Sequence, residues 1–141
     1  MAKTTTELLR ELKRQSCSLP DYLSNHKETF VVEDIKAFWE AIITKKNYSK
    51  SNIINKSDFS YCYFYDVING RKMPTKDKVV RLALAMKMTI DECQQALKIS
   101  GRSALYPKVR RDSVLIYAIE KHLTISQCND LLAQHGEDEL K

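Results

Sequence analysis

The chain has 141 residues, of which 43% are hydrophobic and 29% are charged, and its formal net charge is +5. This length suits one compact domain, and the apolar content is ordinary for a soluble globular protein. No segment approaches the roughly 18 to 20 apolar residues of a transmembrane helix, and the N-terminus alternates charge with leucine instead of forming a signal peptide. We therefore expect a cytoplasmic protein that does not associate with membranes.

Residue spacing argues against a metal site and against catalysis. The four cysteines form no C-x-x-C pair and stand far apart, at Cys17, Cys62, Cys93 and Cys128. We interpret them as free thiols and predict no metal. The histidines are isolated, and neither a metalloprotease motif nor a phosphate-binding loop is present. The sequence thus predicts a protein that is not an enzyme and needs no cofactor.

The first elements are predicted to be helices. Residues 4 to about 16 form an amphipathic pattern with Thr4 as the N-cap and Glu7 completing a capping box. Pro20 suits the first turn of a second, short segment. From Val32 to about Lys46, apolar residues recur at helical spacing, at Ile35, Phe38, Trp39, Ile42 and Ile43. We expect Trp39 to lie in the core.

Residues 50–74 are predicted to form two short helices joined by a tight turn. Ile53 and Ile54 give the first helix its inner face, and Ser57-Asp58 ends it. Ser60 caps the second helix, whose apolar stripe is Phe64, Val67 and Ile68. Its outer face then carries Tyr61, Cys62, Tyr65, Asp66 and Asn69, with Arg71 and Lys72 following at once. This pattern is typical of a helix-turn-helix.

Four more helices are predicted in the rest of the chain. Thr75 caps a helix from Lys76 to Met86, and Thr89 with Glu92 forms a capping box for the next one. After a loop, two helices run from Asp112 to about His122 and from Ser126 to about His135. The three glycines, at 70, 101 and 136, each lie just past a predicted helix end, where a left-handed backbone is favoured.

The last two helix pairs resemble each other. A shift of 35 positions aligns identical residues at caps and core positions, namely Asp77 with Asp112, Val79 with Val114, Ala83 with Ala118, Thr89 with Thr124, Ile90 with Ile125, Cys93 with Cys128, Leu97 with Leu132 and Gly101 with Gly136. We interpret this as a shared packing plan in which Cys93 and Cys128 are buried. Chance similarity between two amphipathic helix pairs is the alternative.

Positive charge is concentrated around the two short helices. Residues 45–81 contain nine basic and three acidic residues, a net of +6, whereas residues 1–44 sum to −1 and residues 82–141 to zero. A charge run of this kind is either a solvated face or a footprint for a polyanion.

The segment Asp66-Val67-Ile68-Asn69-Gly70-Arg71-Lys72-Met73-Pro74 and the turn before it resemble the Cro and phage-repressor helix-turn-helix proteins, the xenobiotic-response-element (XRE) family. The resemblance implies an all-α fold with a five-helix DNA-binding domain over residues 32–101. It also implies an N-terminal helical extension over 1–31 and a C-terminal helical extension over 102–141, packed on the same core. Ile54, Ser57 and Asp58 depart from the family pattern.

The resemblance implies a transcriptional regulator that reads double-stranded DNA with the helix over residues 60–69. The base-facing residues would be Tyr61, Cys62, Tyr65 and Asp66. The phosphate-facing residues would be Lys50, Ser60, Tyr63, Arg71, Lys72 and Lys76. The alternative is a protein–protein interaction module that turns the aromatic outer face toward a protein partner.

The C-terminal helix pair is a candidate dimer interface. Its apolar residues exceed one buried stripe, namely Leu115, Ile116, Tyr117, Ile119, Leu123, Leu131 and Leu132. They would pack either in a homodimer or against the N-terminal helix within a monomer.

Overall fold

The computed structural model describes residues 5–12 and 31–141. These residues form eight α-helices and no strand, so the predicted all-α class is confirmed. The helices are α1 Thr5–Leu12, α2 Val31–Lys46, α3 Lys50–Ser57, α4 Tyr61–Ile68, α5 Lys76–Ala85, α6 Ile90–Ile99, α7 Arg110–Glu120 and α8 Ile125–Gln134. Within these two ranges no helix is long and apolar enough to span a bilayer. The predicted Thr4 cap, the Pro20 segment and Cys17 lie outside the described residues.

One hydrophobic core runs from α2 to the residues that follow α8. Trp39 is completely buried in it, as predicted, and packs edge-on against the ring of Phe38 at 5.2 Å. Phe64 of α4, Leu97 of α6 and Leu115 of α7 are also completely buried in this cluster. Since fully burying one such side chain is worth about 1.5–3 kcal/mol, this shared core holds the helices in place.

Local capping sets most helix boundaries. The hydroxyls of Ser60, Thr75 and Thr89 each accept a hydrogen bond from the amide three residues on, as the sequence predicts. At the C-terminal ends, Gly70, Gly101 and Gly136 adopt φ values of 78°, 72° and 74°. Each glycine is followed by a backbone hydrogen bond that closes the preceding helix.

The predicted start of α7 at Asp112 is wrong by two residues, because this helix begins at Arg110 after an N-cap, Val109, that has no side-chain cap. Asp112 does not cap α7. Instead, its carboxylate accepts hydrogen bonds from the Tyr106 amide and from Lys76, both at 3.0 Å.

The sequence repeat extends to a repeat of structure. Capping boxes formed by Thr89 with Glu92 and by Thr124 with Gln127 begin α6 and α8. The preceding turns carry non-glycine residues with positive φ at equivalent places, 51° at Lys87 and 54° at His122. Beyond each second helix, the Leu105 amide donates to Gln94 and the Leu140 amide to Asn129, both at 2.8 Å. Residues 76–106, the first unit, and residues 111–141, the second unit, therefore share one design.

Reciprocal ion pairs join the two units. Lys76 of the first unit contacts Asp112 of the second at 3.0 Å, and Arg111 of the second contacts Asp77 of the first through two bonds of 2.9 Å. The backbone contacts are also exchanged: the Tyr106 amide donates to Asp112, and the Lys141 amide donates to Asp77. Because each contact has an equivalent with the units interchanged, the units are related as the halves of a two-fold dimer are.

The units differ in what covers their outer surfaces. The first unit packs against α2 and α3, and its Leu82 and Met86 are completely buried. At the equivalent positions the second unit has Tyr117, which is 53% exposed, and Lys121, which is exposed. The second unit packs mainly on α5 and α6.

The apolar residues considered for dimerisation divide accordingly. Three of them are buried in the core, namely Leu115, Ile119 and Leu132. Three others are half-buried, namely Ile116, Leu123 and Leu131. Their core partners are α5 and α6 of the first unit.

Candidate functional site

The turn between α3 and α4 consists of Asp58, Phe59 and Ser60. Asp58 ends α3 with a left-handed backbone at φ 59° and ψ 34°, a conformation that Asp tolerates better than most residues. Phe59 is buried beneath the turn. Arg81 of α5 donates to the carbonyl of Ser57 at 3.3 Å, so the turn is held from below as well as by its own residues.

Ser57 shows how a polar residue fits into this core. It is completely buried, and its hydroxyl donates to the Ile54 carbonyl at 3.2 Å. A buried hydroxyl is costly only when it lacks a hydrogen bond. The core therefore accommodates Ser57 without leaving its hydroxyl unsatisfied.

The outer face of α4 is aromatic and accessible. Tyr61 is 66% exposed and Cys62 is exposed, whereas Tyr65 and Asp66 are half-buried. The rings of Tyr61 and Tyr65 lie 4.7 Å apart at an angle of 47°. Through a hydrogen bond and its charge, Tyr65 raises the pKa of Tyr61.

Asp66 holds the two basic residues that follow α4. Its carboxylate lies 3.4 Å from Arg71 and 3.6 Å from Lys72, and its carbonyl accepts both of their backbone amides. The sequence placed Asp66 among the base-facing residues. The structure brings it together with the two cations, both of which remain more than half exposed.

A second group of cations lies around Tyr63. It is half-buried against Phe59, with 5.2 Å between the rings, and the ammonium groups of Lys72 and Lys78 each lie 5.9 Å from its centroid. Burial raises the pKa of Tyr63, and the nearby charge of Arg102 partly opposes that shift. We call Lys72, Lys78 and Arg102 the basic cluster.

Two members of the basic cluster, Lys78 and Arg102, were not among the site residues predicted from the sequence. Lys78 was counted in the charged stretch, but no local pattern assigned it a role. Arg102 follows Gly101, far along the chain from α4, and its guanidinium donates to the Pro74 carbonyl at 3.0 Å. Only the packing of α6 brings it to this site.

The remaining selected residues lie in different settings. The ammonium of Lys50 is 3.1 Å from Glu40 and 5.7 Å from the centroid of the Tyr65 ring. The Ser60 hydroxyl accepts the Tyr63 amide as a helix cap. Lys76 is bound to Asp112 with its side chain 26% exposed, so the structure places it between the two units.

The described cysteines differ sharply in their surroundings. Cys62 is exposed on α4, whereas Cys93 and Cys128 are completely buried, as the sequence predicted for the last two. Burial raises the pKa of Cys93 to about 12 and that of Cys128 to about 11. These two thiols are therefore protonated and unreactive in the native protein.

Within residues 5–12 and 31–141, no group of three or more His, Cys, Asp or Glu residues is arranged to hold a metal ion. A scan against models of known protein families gives no match to this chain, and searches of curated proteins and of solved structures give none either.

Proposed function

We propose that the chain is a helix-turn-helix DNA-binding regulator, in which α3 and α4 form the motif and α4 enters the major groove. The α2–α6 region would then be the five-helix domain that the sequence resemblance implies. Two short helices with a fixed turn between them, and an accessible polar face on the second, are what such docking requires.

The observation that carries the proposal is the set of cations around α4. Each cation lies near a residue of that helix. The five cations come from four parts of the chain, namely α3, the loop after α4, α5 and the loop after α6, and they are Lys50, Arg71, Lys72, Lys78 and Arg102. Long-range packing thus concentrates positive charge beside the exposed face. Basic side chains around a groove-sized helix are the electrostatic footprint of duplex DNA, since they displace counterions from phosphates.

The outer face of α4 indicates how specifically the protein would recognise DNA bases. Asp66 is engaged with Arg71 and Lys72, so its role in this proposal is to orient phosphate contacts. Tyr61, with its exposed ring, would contact a thymine methyl group, and Cys62 would lie beside it. Since none of the four base-facing residues can form a bidentate Arg–guanine or Asn–adenine pair, discrimination between sequences would rest on few contacts.

The test measures binding to a random-sequence duplex by fluorescence anisotropy at several salt concentrations. Arg71→Ala and Lys72→Ala should each weaken binding on all sequences and flatten the salt slope by roughly one unit. Lys121→Ala, which removes an exposed cation from the second unit, is the matched control and should leave the slope unchanged. A protein that does not bind duplex DNA, or binds it independently of salt, would rule the proposal out.

One observation favours a second function, an interaction module for a protein partner. Tyr61 is largely exposed and its ring packs at a tilt against Tyr65, and Met73 nearby in sequence is 40% exposed. Tyrosine and methionine are enriched in protein interfaces, where lysine is depleted. Binding through this aromatic surface would fall sharply in Tyr61→Ala and would respond weakly to salt, the opposite of the result expected for phosphate binding.

A further inference from the structure

A cleft of about 340 Å³ lies where α3 meets the two units. Its apolar surface comes from the end of α5 and the start of α8, namely Leu84, Ala85, Leu123 and Ile125. Its polar lining consists of Lys56, Lys87, His122, Thr124 and Ser126. Neither the proposed DNA contacts nor the ion pairs between the units involve these residues.

The charged side chains of the cleft are all basic. Lys56 stands in the last turn of α3, and Lys87 lies in the turn after α5. No carboxylate lines the cleft, and among the described residues neither lysine has an ion-pair partner. Unopposed cations at the edge of a concave site favour an anionic ligand group.

The start of α8 adds hydrogen-bond donors to this charge. Ile125 and Ser126 are its first two residues, and the first amides of a helix have no intrahelical acceptor. The Thr124 hydroxyl already accepts a hydrogen bond from the Gln127 amide. The backbone amides of Ile125 and Ser126 are therefore left for a ligand. The positive end of the α8 dipole and the two lysines therefore line the same cleft.

The floor of the cleft is apolar. Leu84 and Ala85 are already buried, at 5% and 4% exposure, so the apolar surface that is open to a ligand belongs mainly to the half-buried Leu123 and Ile125. A purely ionic ligand such as inorganic phosphate would leave this surface in contact with water. Ligand pockets in general combine an apolar lining with a few polar groups that fix orientation.

We propose that this cleft binds a small organic acid, with its hydrocarbon part on the apolar floor and its carboxylate facing Lys56, Lys87 and the start of α8. The ligand would contact α3 and both units together. Occupancy should therefore stabilise their arrangement by mass action. The proposal stands independently of DNA binding, since its tests use no nucleic acid.

The experiment follows backbone amide signals by NMR during titration with octanoate, and in parallel with 1-octanol. Octanoate should saturate at one molecule per chain and shift the amides of Lys87, Ile125 and Ser126. 1-Octanol, which keeps the hydrocarbon part and lacks the charge, should bind more weakly. The double variant K56Q/K87Q should lose roughly tenfold in octanoate affinity and little in octanol affinity, whereas K108Q, at an exposed lysine outside the cleft, should behave as the parent protein.

A second pair of variants tests the location through the repeat. Ser126→Trp should fill the cleft and abolish octanoate binding. Asp91→Trp places the same bulk at the equivalent position of α6, an exposed site outside the cleft, and should not affect binding. Both positions are exposed, so thermal unfolding of both variants should remain cooperative. If Ser126→Trp does not fold, the K56Q/K87Q variant still tests whether the cleft binds the carboxylate.

The proposal fails if octanoate does not saturate, or if Ser126→Trp leaves its affinity unchanged. It also fails if octanol binds as tightly as octanoate, or if removing both lysines has no effect, because the site would then not select an anion.

Discussion

The ion pair between Asp77 and Arg111 offers a direct test of how the two units are held together. Two parallel hydrogen bonds of 2.9 Å join the carboxylate to the guanidinium, and the Lys141 amide donates to the same carboxylate at 3.0 Å. Burial alone would raise the pKa of Asp77, but these partners outweigh it and lower the pKa below its ordinary value. We expect Asp77→Ala to destabilise the protein substantially.

The magnitude follows from burial. The side chains of Asp77 and Arg111 are 16% and 23% exposed, so water screens their attraction only in part. Removing one partner from a buried pair costs about 3–5 kcal/mol, and an exposed pair contributes about 0–1 kcal/mol. In the variant, Arg111 would still donate to the carbonyls of Asp138 and Glu139. We therefore expect Asp77→Ala to lower the free energy of unfolding by about 2–3 kcal/mol.

A double-mutant cycle separates the pair from other effects. The parent, D77A, R111A and the double variant would be unfolded in urea at neutral pH, and the coupling energy should be about 2 kcal/mol. The matched control is the cycle for Asp66 and Arg71, an ion pair whose arginine side chain is 68% exposed and whose coupling should stay below about 0.5 kcal/mol. Equal coupling in the two cycles would refute the reasoning, because burial would then not strengthen the Asp77–Arg111 pair.

Three further outcomes follow from the site and the core. Burial alone would raise the pKa of Glu92, but hydrogen bonds from Lys46, the Thr89 amide and Lys45 lower it to about 2, so its carboxylate stabilises the fold above about pH 4.5 and less as the pH falls toward 2. Glu92→Gln keeps an amide acceptor for the capping box, and unfolding of parent and variant should therefore differ at pH 5 and converge near pH 2. In a background with Cys17 replaced by Ser, a thiol reagent should modify Cys62 at least tenfold faster than the two buried cysteines; a reversed order in peptide mapping would contradict the orientation of α4. If the open face of the second unit forms a dimer, Tyr117→Glu should yield a monomer in light scattering while Tyr106→Glu, also at a tyrosine that is 53% exposed, should not; a parent protein that is already monomeric would refute this.

The helix ends could be predicted because capping is local. A serine or threonine hydroxyl accepts a hydrogen bond from the amide three residues on. Ser60, Thr75 and Thr89 therefore mark the starts of their helices regardless of the rest of the fold. The same is true of Gly70, whose positive φ serves the helix immediately before it. The start of α7 was missed for the converse reason, since Asp112 is a cap-forming residue that is used for distant contacts.

The composition of the candidate site was harder to predict. Periodicity placed Tyr61 and Cys62 on the outside of α4, where the structure also has them. Periodicity does not indicate, however, that Asp66 pairs with two cations or that the charge of Arg102 acts on Tyr63. Lys76 illustrates the same limit, because its partner Asp112 is 36 residues away and no local pattern connects them.

The reciprocal arrangement of the two units has a consequence for how substitutions act. In a two-fold homodimer one codon specifies both copies of a contact, so every substitution is made twice and its effect is doubled. Here the two copies have separate codons, and they already differ: one contact is a two-bond guanidinium pair, the other a single ammonium bond. The outer surfaces also differ, since Leu82 is buried beneath its neighbours and Tyr117 faces solvent. Each half can therefore accumulate changes suited to its own surroundings while the contact between the halves is preserved.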